Sequence, residues 1–484
     1  MRINKILSLS VVILLITVVF AGAFTVPAAA QTSTMQYRYN AAHSGDYSSV
    51  AGSVPSNGQL LWSYPTGGGV TSSPAVVNGV VYVGSGCGAT GGDHNVYAIN
   101  ATTGTELWSY TTGSYVESSP AVTNGIVYVG SDDGNVYALY ATNGTELWSY
   151  ATHSAESSSP AVVNGVVYVG SNDGNVYALY ANNGTELWSY ATEGQVQSSP
   201  AVVNGVVYVG SMDGNVYALN AKNGTKLWNY ATEGAVFSAP SVVNGVVYVG
   251  SENNNLYALN ATTGAKLWSY TTGGWVCDPA VSNGVVYVGS YDHNVYAFNA
   301  NNGHKLWNYT TGGTVGHASV ANGVVYMGSF DDNVYALNAA TGTKLWNYTT
   351  GNYIVSSPAV INGVVYVGSW DNYLYAIGTN STTLTATASA TNVEISQKFT
   401  VSGTLTWGAS VIPVAGQPVY LEASYDGSTW FPISANTNTN SAGHYSFTGY
   451  ISAGGGYYLR ASFDGTPTYG ASVSPPVTVW VWKL

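Results

Sequence analysis

The sequence predicts an all-β protein: an eight-bladed β-propeller closed by its own N-terminal strand, with a small β-sandwich after it. Three observations predict this. The phrase VVNGVVYVGS (162–171) occurs eight times with small changes. A Leu-Trp pair recurs at Trp62, Trp108, Trp148, Trp188, Trp228, Trp268, Trp307 and Trp346, spaced by 46, 40, 40, 40, 40, 39 and 39 residues. A period near 40 with four short strands per unit marks a propeller. The composition, with 58 glycines, 40 tyrosines and only 7% charged residues, suits strands joined by tight turns.

The elements follow in order. Residues 1–30 read as a secretory signal. Arg2 and Lys5 precede an apolar run, and Ala28-Ala29-Ala30 supplies small residues before Gln31. The alternative is an uncleaved anchor, because the run is long. No second apolar run could span a membrane. Residues 31–57 are a lead-in, and the propeller occupies 58–378.

One unit shows the four strands. SSPAVV (158–163) is strand A, and Asn164-Gly165 is a two-residue step suited to a type I′ hairpin. VVYVGS is strand B, VYALY is strand C, and ELWSY is strand D. Strands B and C are apolar at successive positions, as in sheets covered on both faces. There are eight A-B-C sets, but the first D strand precedes them all and the last set lacks one. The strand near Leu60–Tyr64 is therefore expected to complete the eighth blade, removing an open edge.

After Ile377 the repeat stops. Residues 379–484 alternate at period two between turn residues. About seven strands in about a hundred residues suit an immunoglobulin-like sandwich, read as a spacer.

The segment ALNATTGAKLW (258–268) has Ala, then Gly six residues on, then Trp four residues later. Seven units share this spacing. With SSPAV, VYVGS and VYAL, it resembles the quinoprotein repeat of eight-bladed propellers. That repeat occurs in PQQ-dependent alcohol dehydrogenases and in BamB-like outer-membrane assembly lipoproteins. The resemblance covers 58–378. It implies that the Gly supplies the turn and the Trp fills the gap between blades, its indole N–H bound to a backbone acceptor. The chain departs from the family at the third motif position, which carries Asn or Tyr in place of Asp. The dehydrogenases set adjacent cysteines over the cofactor and hold calcium beside a catalytic Asp. Here Cys87 and Cys277 stand far apart, and only blade one carries an insertion. The resemblance thus implies the propeller without the enzyme, and neither PQQ nor calcium is expected. Unlike the lipoproteins, the chain has no cysteine at the cleavage site.

The net charge is −12, and −14 without Arg2 and Lys5. This disfavours nucleic acid as a partner. Fifteen of the 23 acids fall in B–C turns or D–A segments, which share one face; the propeller lysines lie near the C–D turns. Glu117, Glu156, Glu193 and Glu233 of the D–A segments are candidates for a docking face toward a basic or cationic partner. The B–C acids are also good turn chemistry. Eight N-x-S/T sequons, from Asn100 to Asn380, could accept glycans, although N-G-T also suits the turn.

The repeat breaks its own pattern in blades six and seven. There SSP becomes Cys277-Asp278-Pro279 and then Gly316-His317-Ala318. Asp278 and His317 are expected side by side at the channel mouth. With Cys277, Asp292 and His293 they are candidate ligands for a transition metal or a cationic group; the alternative is that they merely pair with each other. No nucleophile–base pair, H-E-x-x-H spacing or phosphate loop occurs. The expectation is a secreted or surface-bound, monomeric, non-enzymatic scaffold for a protein or surface polymer. The alternatives are a PQQ-dependent dehydrogenase and a carbohydrate-binding surface protein. The last is weakened because most aromatics fall at repeat core positions.

Overall fold

The structure is a computed structural model. It describes residues 34–482 apart from 51–54, 56, 87–91, 380–381, 408–411, 434–435, 467–468 and 471. The expected signal peptide, Cys87 and Asn380 lie outside the described residues.

Eight antiparallel sheets carry the repeat. Blade three is typical: A is Ala161–Val163, B Val166–Gly170, C Asn175–Tyr180 and D Glu186–Ala191. Its Asn164-Gly165 step has φ of 51° and 77°, as a type I′ turn requires. Blade eight takes its D strand, Leu60–Pro65, from the start of the chain. That strand pairs with Tyr373–Gly378, Trp62 facing Ala376. The ring closes as the strand offset predicts.

The seams between blades repeat one arrangement. Trp148 Nε1–H donates to Ala181 O of the next blade at 2.9 Å. The Trp148 ring lies over Gly184, where an added Cβ would come within 2.6 Å of it. Gly184 also has φ of 70°, so turn geometry and packing both demand glycine there. Tyr128 OH shares the Ala181 carbonyl, at 3.1 Å. Equivalent indole bonds run from Trp62 to Ala101 and from Trp307 to Ala339. The circle is completed by Trp346, which donates to Pro55 O at 3.1 Å.

The lead-in is no idle tether. Residues 34–50 loop into the central channel, and Thr34–Met35 adds a fifth strand inside blade two. In blades three to seven the middle residue of the inner strand points its N–H at the axis, where this segment accepts it. Val162 N–H donates to Gln36 Oε1 (2.8 Å), Val202 to Ala41 O (2.6 Å) and Val242 to Ala42 O (2.9 Å). Val281 donates to Ser44 O (2.8 Å) and Val320 to Gly45 O (2.7 Å). One non-repeating segment thus serves successive blades of a repeating ring.

Residues 382–482 form two further sheets around a separate core that includes Phe399, Leu405, Leu459 and Val479.

Deleting residues 31–66 removes the plug and the closing strand together, and is expected to give aggregation. Deleting only 31–56 keeps the closing strand but orphans the inner N–H groups. Each orphan costs about 1 kcal/mol or more, so this variant is expected to melt well below the full chain while staying monomeric. Melting curves with size-exclusion chromatography check both outcomes.

Candidate functional site: a funnel above the plugged channel

B–C turns and D–A segments meet on one face. Asp132 N–H donates to Tyr115 O at 2.8 Å and Tyr291 N–H to Trp275 O at 2.9 Å. At the centre of this face the inner strands begin, and they surround a funnel of about 580 Å³. Glu117, Gln197, Phe237, Trp275, Cys277 and His317 contribute to its wall, and Tyr37 of the plug also lines it.

Below the rim, equivalent residues link neighbouring blades. Ser357 N–H donates to Ser73 Oγ, Ser73 to Ser119, Ser119 to Ser159 and Ser159 to Ser199, at 2.8–2.9 Å. Blade six replaces this serine with Asp278, whose Oδ1 accepts Ala239 N–H at 2.9 Å. Its Oδ2 accepts Tyr37 OH at 2.5 Å and lies 3.1 Å from His317 Nδ1. Asp278 is 2% exposed. Burial alone would raise its pKa, but His317, the Arg38 guanidinium and the Tyr37 hydroxyl hold it well below the carboxylate range. Arg38 is itself buried and donates to Ala318 O at 2.8 Å. Asp278 is thus the buried anion that offsets a buried cation in the plug.

The structure brings Asp278 and His317 together but does not assemble the five proposed ligands. Among the described residues no group of three His, Cys, Asp or Glu side chains is arranged to hold a metal. Cys277 Sγ donates to Val315 O at 3.3 Å. Burial, then the Asp278 charge, push its thiol upward, which disfavours the thiolate a metal needs. Asp292 serves its own turn, accepting Tyr296 OH (2.7 Å), Gly273 N–H (2.7 Å) and Asn294 N–H (3.0 Å). His293 sits in the same turn at φ 70°. The same clamp recurs at Asp133, Asp213 and Asp331, so most B–C acids serve turn chemistry.

Of the D–A acids, Glu193 and Glu233 are exposed and Glu117 is half-buried. Glu156 is not available for docking, because it is 0% exposed. It stands where other blades put Val116, Val196, Val236, Val276 or Ile354, packed against Gly130 of blade two. Burial raises its pKa to about 8, against the opposing hydrogen bond from Thr152. Its Oε2 has no partner.

Sequence reasoning missed Tyr37, Arg38 and His43 of the plug. One signal was present: Arg38 is the sole arginine between residues 3 and 459 of a chain poor in cations.

The family described as "Outer membrane protein assembly factor BamB" matches residues 46–159, 151–243, 231–315 and 311–416. The chain belongs to this family of PQQ-like propellers. No curated protein matches it significantly. Among solved structures it is similar to BamB from Moraxella catarrhalis, at 20% identity and a TM-score of 0.57, covering 66% of this chain and 97% of that one. It is also similar to the quinohemoprotein alcohol dehydrogenase from Comamonas testosteroni, at 17% and 0.61, covering 73% and 81%. A europium-containing methanol dehydrogenase matches at 16% and 0.62, covering 72% and 99%. At these identities the likeness concerns the fold alone.

Two predictions follow from the buried carboxylates. Asp278→Ala leaves Arg38 buried without its counter-charge and is expected to cost about 3 kcal/mol or more, read by denaturant unfolding. Folded Glu156 holds its proton between about pH 4.5 and 8, where the unfolded chain has released it. Its contribution to stability therefore falls as pH rises through that window. Glu156→Gln is expected to raise the melting temperature at pH 8.5, by the equivalent of roughly 2–5 kcal/mol, and to change little at pH 4.5. A pH series of melting curves on both proteins checks this.

Proposed function

We propose that this chain is an exported, monomeric, non-catalytic propeller that acts as a binding scaffold outside the membrane. The funnel face is its docking surface, and a protein or surface polymer is its partner. The observation that carries this reading is the filled channel. The plug runs where an enzyme of this architecture could keep a reaction chamber. The ionisable groups at the funnel floor are committed to the plug and to each other: Asp278 to Ala239, Tyr37 and His317, and Arg38 to Ala318.

PQQ is a flat quinone carrying three carboxylates. Among the described residues, the funnel lining contains neither Lys nor Arg to meet them, and it includes Glu117, Glu252 and Asp278, which would repel them. Cys277 is the single cysteine among its described residues. These residues do not fit PQQ with calcium. The signal-like N-terminus supports export, and the family description supports a role in assembly.

The test is incubation of the mature protein with PQQ and Ca²⁺, followed by alcohol-dependent dye reduction. No quenching of quinone fluorescence and no dye reduction are expected. Alcohol-dependent reduction would overturn the scaffold reading.

A further inference from the structure

The funnel opens on one side onto a row of aromatic rings. Trp275 and Tyr291 lie 5.1 Å apart between centroids, and Tyr291 and Phe330 6.4 Å apart. Phe330 stacks on Tyr353 at 5.2 Å, and Tyr353 lies 6.4 Å from Trp370. The row crosses blades six, seven and eight on the docking face, and its inner end, Trp275 and Tyr291, lines the funnel. Trp275, Tyr291, Tyr353 and Trp370 are each 38–44% exposed. None of the five belongs to a hydrophobic core cluster among the described residues. The objection that aromatics here are core positions therefore does not apply to them.

The repeat shows that the fold does not require these rings. At the first position of the B–C turn, blades two to five carry Asp132, Asn172, Met212 and Glu252, where blades six to eight carry Tyr291, Phe330 and Trp370. Ala155 and Ala235 stand where blade six has Trp275. In a chain whose blades are otherwise nearly identical, five neighbouring positions have turned aromatic, four of them exposed and Phe330 half-buried between Tyr291 and Tyr353. Contiguous exposed apolar surface of this kind marks an interaction site.

The surroundings select the occupant. Hydroxyl and amide groups line the funnel beside the row, including Thr71, Ser157, Gln197 and Ser251. The propeller lysines lie at the other end of the blades, so no Lys or Arg of the propeller repeats serves this face. Nucleic acid and acidic polysaccharide would stack on the rings but meet Glu117, Glu193, Glu233 and Glu252 without a compensating cation. A neutral polysaccharide needs none. Its pyranose rings offer C–H faces to aromatics and hydroxyls to the funnel, which is the division between apolar wall and sparse polar groups that a small-molecule site shows. The single-file row suits a linear polymer.

We propose that this row and the adjoining funnel form a binding site for a neutral polysaccharide. This rests on the scaffold reading and names its partner. Affinity electrophoresis of the mature full chain through gels containing soluble mannan, xyloglucan or hydroxyethyl cellulose tests it, with polyglutamate as an acidic control and polylysine as a basic one. At least one neutral polymer is expected to retard the protein, and polyglutamate is not. Trp275→Ala and Phe330→Asn introduce residues that other blades already carry at those positions. Each is expected to weaken retardation about tenfold with an unchanged melting temperature. Failure of every neutral polymer to retard the wild type, or equal retardation of both variants, would overturn the proposal. Retardation by polylysine alone, lost on removing Glu117, Glu193 and Glu233, would also overturn it, in favour of a basic protein partner. Each of those three results leaves the scaffold reading standing. Alcohol-dependent dye reduction would sink both.

Discussion

The whole molecule depends on covering sheets that are apolar on both faces. Strands B and C of each blade bury four consecutive residues, such as Val167–Gly170 and Val176–Leu179. No single sheet of four strands could keep these from water. A ring gives every sheet two neighbours, and the tryptophan seam sets their spacing. Each indole fills the gap, lies over a glycine that lacks a Cβ, and donates to the adjacent blade's carbonyl. The glycine, tryptophan and carbonyl are one device made of three parts, which is why they recur together.

Closing the ring creates a second problem at its centre. The inner strands turn N–H groups toward an axis with no ninth element to receive them, and buried donors without acceptors are costly. The lead-in resolves this by threading the channel, and it brings Arg38 and His43 into a place that water scarcely reaches. Burial lowers His43 to about 3, so it stays neutral. Asp278 stands where blades one to four and blade eight use serine. Blade six thus carries, close to the charge of a distant segment, a carboxylate that no other blade has at this position. The outer rim of the funnel has no such duty, so its residues are free to serve recognition.

Much of this was legible in the residues. The period near 40, the Asn-Gly steps and the offset of the D strands each follow from local geometry repeated many times, and repetition makes a weak signal strong. The pairing of Asp278 with His317 was legible too, because equivalent positions of adjacent blades are neighbours in a ring. Glu156 could have been read the same way, since it stands in a column of valines. The lead-in could not. It has no periodicity, and its contacts lie far away in sequence, such as the 280 residues between Arg38 and Ala318. The five aromatics were present in the sequence, but tyrosine and tryptophan are so frequent here that exposure alone separates recognition from packing.

By itself the sequence determined that this chain is a ring of eight sheets, closed by the strand at Leu60–Pro65, with most of its acids on one face. Those properties depend on alternation, turn stereochemistry and period, all of which act between near neighbours along the chain. Only the tertiary structure decided that the channel is filled, that Glu156 is buried rather than docking, that Asp278 lies beside a buried cation, and that five rings form a row of which four are exposed. Each of these depends on which distant groups share a desolvated space, and desolvation is a property of the folded assembly that no stretch of residues carries alone.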